Sequence, residues 1–306
     1  MCTRILIALT ILAGAVLVPL SAQAPAEQPT PVFRSAVDLV TIQASVRDAH
    51  GRALSGLSPA DFEVRDNGQL RPILSLQSDR RSPVSLAILL DISGSMRVGS
   101  KIAMARQAFD AVLNQLRDGE DEVALFTFDS SLHEQNGFTA DLASLKNELW
   151  DFEAFGTTSL YDATAATARR LADRSGTHKA VIVLTDGLDT SSALTASEVS
   201  GLASSIDVPV FVVATVPSLD QRVMLEAAPH SDAADLRDLA EWTGGQLVFA
   251  SSLTESVVVA SNLVNQLRQQ YVLAIEAGDG PEWRRLDVRV THHSAVVKAR
   301  SGYFGG

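Results

Sequence analysis

A chain of 306 residues has room for one large domain and a smaller one. With 46% hydrophobic and 20% charged residues it has the make-up of an ordinary globular protein, and its net charge of −11 excludes the basic footprint that nucleic-acid phosphates require. An acidic excess of this kind favours solubility through self-repulsion and says nothing of the fold.

Residues 1–24 have the three parts of a secretory signal. Arg4 supplies the positive start, Ile5 to Val18 the apolar run, and Ala22-Gln23-Ala24 the small residues for cleavage. The run is shorter than the ~20 residues that span a bilayer, so we expect cleavage and no membrane span in the mature chain. Cys2, the only cysteine, leaves with the signal, and the exported chain, periplasmic or extracellular, then has neither a disulfide nor thiol chemistry. Residues 25–32, with Pro25, Pro29 and Pro31, read as a linker.

From 33 to 80 the pattern is β. The β-branched stretch Val37 to Val46 predicts a strand, Ser58-Pro59-Ala60-Asp61 a short helical turn capped by Ser58, and Phe62 to Arg65 a second strand. Asp66-Asn67-Gly68 marks a hairpin, with Pro72 to Leu76 as the returning strand. From 81 to 269 strands and helices alternate. The strands Val84 to Leu90, Val123 to Phe128, Ala180 to Thr185, Val208 to Ala214 and Gln246 to Ala250 are almost continuously apolar, as strands buried on both faces are. Between them, Ile102 to Leu116, Leu142 to Phe152, Ser159 to Arg174, Ala196 to Ser205, Asp235 to Trp242 and Leu253 to Gln269 read as helices. The order implies a doubly wound α/β fold, mostly parallel, with helices on both faces of the sheet. From 270 to 306 the pattern returns to β, with strands at Tyr271 to Glu276, Arg284 to His292 and Val296 to Arg300. Neither flank is long enough to bury a core alone, so we expect the two to pair into one small β-sandwich-like domain with the α/β domain inserted between them.

Polar residues gather where three predicted core elements end or begin: Asp91-Ile92-Ser93-Gly94-Ser95, Gly156-Thr157-Thr158-Ser159 and Asp186-Gly187. Ligands bind at the carboxyl edge of an open parallel sheet. Two carboxylates with several hydroxyls make a hard oxygen environment suited to Mg²⁺, Mn²⁺ or Ca²⁺. Asp129 and Asp189 fall near the same edge and read as solvated or outer groups, and the acidic run Asp118, Glu120, Asp121, Glu122 as a solvated loop at the opposite edge. A hydrolase built on Ser93 or Ser95 lacks a Gly-x-Ser-x-Gly turn and a histidine at a comparable strand end. His292 and His293, adjacent in a strand, point to opposite faces and cannot share a metal.

Asp-Ile-Ser-Gly-Ser resembles the Asp-x-Ser-x-Ser signature of the metal-ion-dependent adhesion site in von Willebrand factor A and integrin I domains. Gly156 to Ala163 resembles that family's Gly-Gly-Thr segment, with Thr157 standing where a second glycine is common, and Thr185-Asp186-Gly187 resembles its distal aspartate. The resemblance, over about Val84 to Gln269, implies a von Willebrand factor A-type (Rossmann-like) fold with Asp91, Ser93, Ser95, Thr158 and Asp186 as ligands of one divalent cation, foremost Mg²⁺. It also implies a binding and adhesion module, not an enzyme, whose protein partner presents an Asp or Glu carboxylate. The alternative is an envelope protein in which the metal only stabilises. The flanks are similar to those of exported acidobacterial-type von Willebrand factor A-related proteins, in Val37 to Val40, Asp61 to Val64, Tyr271 to Leu273 and Arg300 to Phe304.

Overall fold

The continuously apolar stretches form five strands of a six-stranded sheet. A computed structural model describes residues 38–78, 80–147, 153–174, 178–217, 232–291 and 294–305. The signal and linker segments, and the His292-His293 pair, lie outside the described residues.

Strands β1 (Leu39–Arg47), β2 (Phe62–Asp66), β3 (Gln69–Arg71) and β4 (Ile73–Gln77) come first. The alternating region follows as β5 (Val84–Asp91), α1 (Lys101–Gln115), β6 (Glu122–Phe128), β7 (Leu132–Thr139), α2 (Leu142–Asn147), α3 (Leu160–Ala172) and β8 (His178–Thr185). It continues through α4 (Ala196–Ser205), β9 (Val210–Thr215), α5 (Asp232–Trp242), β10 (Gln246–Ala250) and α6 (Leu253–Leu267). The chain ends with β11 (Tyr271–Glu276), β12 (Trp283–Val290), β13 (Val296–Ala299) and β14 (Gly302–Phe304).

The large sheet has the order β10-β9-β8-β5-β6-β7, parallel except for β7. Along β5 the pleat sends Leu86, Ile88 and Leu90 to one side and Ala87 and Leu89 to the other. The first set packs with Phe109 and Val112 of α1 and Leu263 of α6; the second packs with Leu160 and Leu171 of α3, Val199 of α4 and Leu236 of α5. Each fully buried Leu or Phe contributes about 1.5–3 kcal/mol, which explains why β5 carries no exposed position. The fold is therefore the doubly wound α/β architecture that the apolar runs predict.

β7 has no counterpart in the sequence reading. It is an antiparallel edge strand, Leu-His-Glu-Gln-Asn-Gly-Phe-Thr, without a fully buried position, so it lacks both the apolar run and clean alternation. The helix expected over Leu142 to Phe152 runs to Asn147, and the last residues of that range lie outside the described set.

The flanks interleave. One four-stranded sheet has the order β13-β1-β11-β4 and another the order β14-β12-β2-β3, so each takes two strands from either end of the chain. Between them lie Ile42, Ala44, Phe62, Val64, Tyr271, Leu273, Leu286 and Tyr303, with Phe62 and Tyr271 edge to face at 5.3 Å. The hairpin differs from expectation. The strand returning from Asn67-Gly68 is Gln69–Arg71, which pairs with β2, whereas Ile73–Gln77 pairs with β11 in the other sheet. Pro72 marks the change because it has no N–H to continue the first ladder.

The acidic run is a second correction. Asp121 is fully buried and accepts hydrogen bonds from the amides of Val84 (3.0 Å) and Arg117 (2.6 Å) and from the Arg268 guanidinium. Glu122 accepts from Ser85 Oγ at 2.6 Å and pairs with Arg174. Asp118 accepts from the Leu142 amide at 3.0 Å. Three of the four acids thus tie strand starts and helix ends together at the edge opposite the polar cluster. Among the described residues no helix is long and apolar enough to cross a membrane.

Candidate metal centre at the carboxyl edge

β5 and β8 are neighbours in register, Leu90 beside Leu184, so Asp91 and the Thr185-Asp186 pair leave the sheet side by side. Asp91 is fully buried. Its Oδ1 accepts the Ser93 amide at 2.8 Å, which closes the turn after the strand, and its Oδ2 accepts the Thr185 hydroxyl at 2.6 Å. Thr185 Oγ1 in turn accepts the Gly187 amide at 3.1 Å, so one threonine orients both aspartate-bearing turns.

Ser93 and Ser95 bring their hydroxyls to 3.1 Å from each other on the loop entering a 3-10 turn, Gly94–Arg97. Between them Gly94 approaches the third segment: its amide donates to the Gly156 carbonyl at 3.1 Å, and a Cβ there would sit 3.3 Å from the same oxygen. The Phe155 amide donates back to the Ile92 carbonyl at 2.9 Å. Thr158 is buried, and its backbone is held by the loop after Asp186, its amide donating to Thr190 Oγ1 (2.9 Å) and its carbonyl accepting the Thr190 and Ser191 amides. Interlocking hydrogen bonds thus join the three segments that carry Asp91, Ser93, Ser95, Thr158 and Asp186.

Burial pushes the Asp91 carboxyl up to about 6; hydrogen bonds from Thr185 and Ser93 oppose this, and the Asp186 charge adds to it. Asp186 is also buried, and its Oδ1 has no hydrogen-bond partner among the described residues. A cation beside Asp91 would offset the cost of burying its charge, and the unpaired oxygen of Asp186 leaves a donor for the same ion. Among the described residues no three His, Cys, Asp or Glu side chains cluster as metal ligands. The donors here are two carboxylates and hydroxyls, a hard all-oxygen set that fits a small divalent ion.

Sequence reading missed Lys101. The first residue of α1, it donates from Nζ to Asp186 Oδ2 at 2.8 Å, and its side chain is only 18% exposed. Nothing in the local pattern marks it, since the contact spans 85 positions.

Asp129 and Asp189 have structural partners. Asp189 Oδ1 accepts the Leu160 amide at 2.7 Å and the Ser192 hydroxyl at 2.6 Å, fixing the start of α3 behind Thr158. Asp129 accepts the Ser131 amide and lies 3.5 Å from His133. Because β7 is antiparallel its start falls at this edge, so a histidine does stand there. Its partner is Asp129, and among the described residues neither Ser93 nor Ser95 hydrogen-bonds to a histidine.

Residues 86–188 match the family model of the von Willebrand factor type A domain, and this stretch of the chain is a domain of that class. A solved von Willebrand factor type A structure from Catenulispora acidiphila is similar with a TM-score of 0.51 at 13% identity, over 88% of this chain and 74% of that one. Proximal thread matrix protein 1 of the mussel byssus is similar with a TM-score of 0.50 at 15% identity, over 73% of this chain and 51% of that one. At such identities the likeness is one of fold. Calcium-activated chloride channel regulator 3A-1 of Mus musculus is 28% identical over 201 residues, 63% of this chain. The match spans about a fifth of that relative's length. Domains of this class are protein-interaction and adhesion modules that commonly hold a divalent cation.

Proposed function

We propose that the chain is an exported, metal-ion-dependent adhesion module that captures an acidic group of a protein partner. Asp91, Ser93, Ser95, Thr158 and Asp186 are the residues that hold the cation, Mg²⁺ foremost, with Mn²⁺ or Ca²⁺ as alternatives. The observation that carries this reading is the buried Asp186 with its unpartnered Oδ1 beside the buried Asp91. A bound divalent cation supplies a Lewis-acidic position for an anionic oxygen of the partner. The protein's own part is to hold the donors in place: Thr185 fixes Asp91, Gly94 lets the Asp91 loop meet the Gly156 loop, and Thr190 fixes Thr158. Neutral hydroxyls among the ligands leave more positive charge on the ion than a ring of carboxylates does, which favours an anionic group from outside. The secretory signal read at residues 1–24 supports export to the periplasm or beyond.

The test is capture of an envelope protein by the purified chain in Mg²⁺ and its release by EDTA. An Asp186→Ala variant with a native circular dichroism spectrum should capture nothing. Capture that persists in EDTA, or in that variant, contradicts the reading.

A further inference from the structure

Lys101 is an odd choice for its position. A helix amino terminus carries the positive end of the helix dipole, where acids stabilise and a cation does not. Yet α1 has no acid in its first turn, its Ser100 cap makes no side-chain hydrogen bond, and Lys101 stands first in the helix. The gain lies elsewhere: its Nζ donates to Asp186 Oδ2 at 2.8 Å while Oδ1 of the same carboxylate stays unpartnered. One oxygen is taken by a tethered ammonium, the other is left for a second cation. In Arg97, four residues earlier, the chain has another cation, but it is exposed at the end of the 3-10 turn.

We propose that Lys101 is a positioning residue that clamps Asp186 through Oδ2 and sets the charge of the centre. This rests on the metal reading above and deepens it. Asp91 and Asp186 together balance a divalent ion, so without Lys101 the loaded centre is neutral. With the ammonium retained it bears one positive charge in a largely buried setting, where charge is poorly screened. The centre then holds its cation less tightly than two aspartates alone would, and it demands an anionic partner group to reach neutrality. Lys101 thus trades affinity for the ion against preference for an acidic ligand.

Titration calorimetry of Mn²⁺ alone into the wild-type chain, Lys101→Met and Lys101→Arg tests this. Methionine keeps the stem and removes the charge; arginine keeps the charge. The Lys101→Met variant should bind Mn²⁺ about tenfold more tightly or better, and Lys101→Arg within about threefold of wild type. Damage to the fold weakens binding, so a gain in affinity cannot come from a merely structural role. Equal or weaker binding by Lys101→Met, with wild type binding normally, overturns the inference alone. If neither wild type nor any variant binds Mn²⁺, the metal reading falls and the inference with it.

Discussion

Thr185 donates its hydroxyl to Asp91 Oδ2 at 2.6 Å, and both side chains are sealed from solvent. This bond joins β5 to β8 where both strands leave the sheet, so a residue outside the proposed ligand set orients Asp91 within it. Thr185→Val keeps the shape, removes the donor and leaves a buried carboxylate oxygen unsatisfied. Its stability should fall by about 1–3 kcal/mol in urea denaturation. Outer partners of this kind typically change metal affinity about 10–100-fold, so Mn²⁺ binding should weaken within that range. Unchanged binding would remove Thr185 from the account of the site.

Asp121 governs the opposite edge of the sheet. Burial alone would raise its pKa, but hydrogen bonds from Arg268 and from the Arg117 and Val84 amides outweigh it and hold the carboxyl below its ordinary value. A carboxylate depressed in the folded state contributes stability above its unfolded pKa and loses it as the pH falls. Stability should therefore decline below about pH 4, and Asp121→Ala should flatten that decline. The same variant leaves the partly buried Arg268 without its partner and should cost about 3 kcal/mol at neutral pH. A pH profile of the urea midpoint checks both.

Arg300 joins the flanking sheets to the α/β layer. Its guanidinium donates to the carbonyls of Ser204 in α4 and Thr41 in β1, and it lies 3.4 Å from Asp207. Arg300→Ala should lower stability by about 2–4 kcal/mol. Removing residues 271–306 should do more to the amino-terminal flank, because β11 sits between β1 and β4, and β12 beside β2. Hydrogen exchange should then show Ile42, Ala44 and Val64 unprotected while Ile88 and Val183 stay protected. Protection retained in β1 and β2 would mean that they fold without their carboxyl-terminal partners.

The legible parts of the fold are those where a residue's role is decided by its neighbours in sequence. Val84 to Leu90 reads as a doubly buried strand because its run of seven nearly all apolar positions is too short for a buried helix. The Asp91-to-Ser95 turn reads as a ligand loop because its donors alternate. β7 did not show, since an edge strand half in water needs no apolar pattern. The returning strand read at Pro72 to Leu76 pairs elsewhere because the ladder on which it lies is completed by β11, some 200 residues on. Asp121 and Lys101 were misread or missed for one reason: a charged residue looks solvated until the fold brings Arg268 or Asp186 to it. The three polar segments at the carboxyl edge were legible; the lysine that meets Asp186 there was not.

If Asp91 and Asp186 hold a divalent cation, the thermal midpoint of the chain reports it. An ion that binds only the folded chain stabilises it by about 2.7 kcal/mol at a hundred times its dissociation constant. For a chain of this size that is about 4–5 °C. Saturating millimolar Mg²⁺ or Mn²⁺ should raise the midpoint of the wild-type chain by that amount, EDTA should reverse it, and Asp186→Ala should show none of it. A wild-type midpoint indifferent to both ions, or an equal rise in Asp186→Ala, would contradict the account.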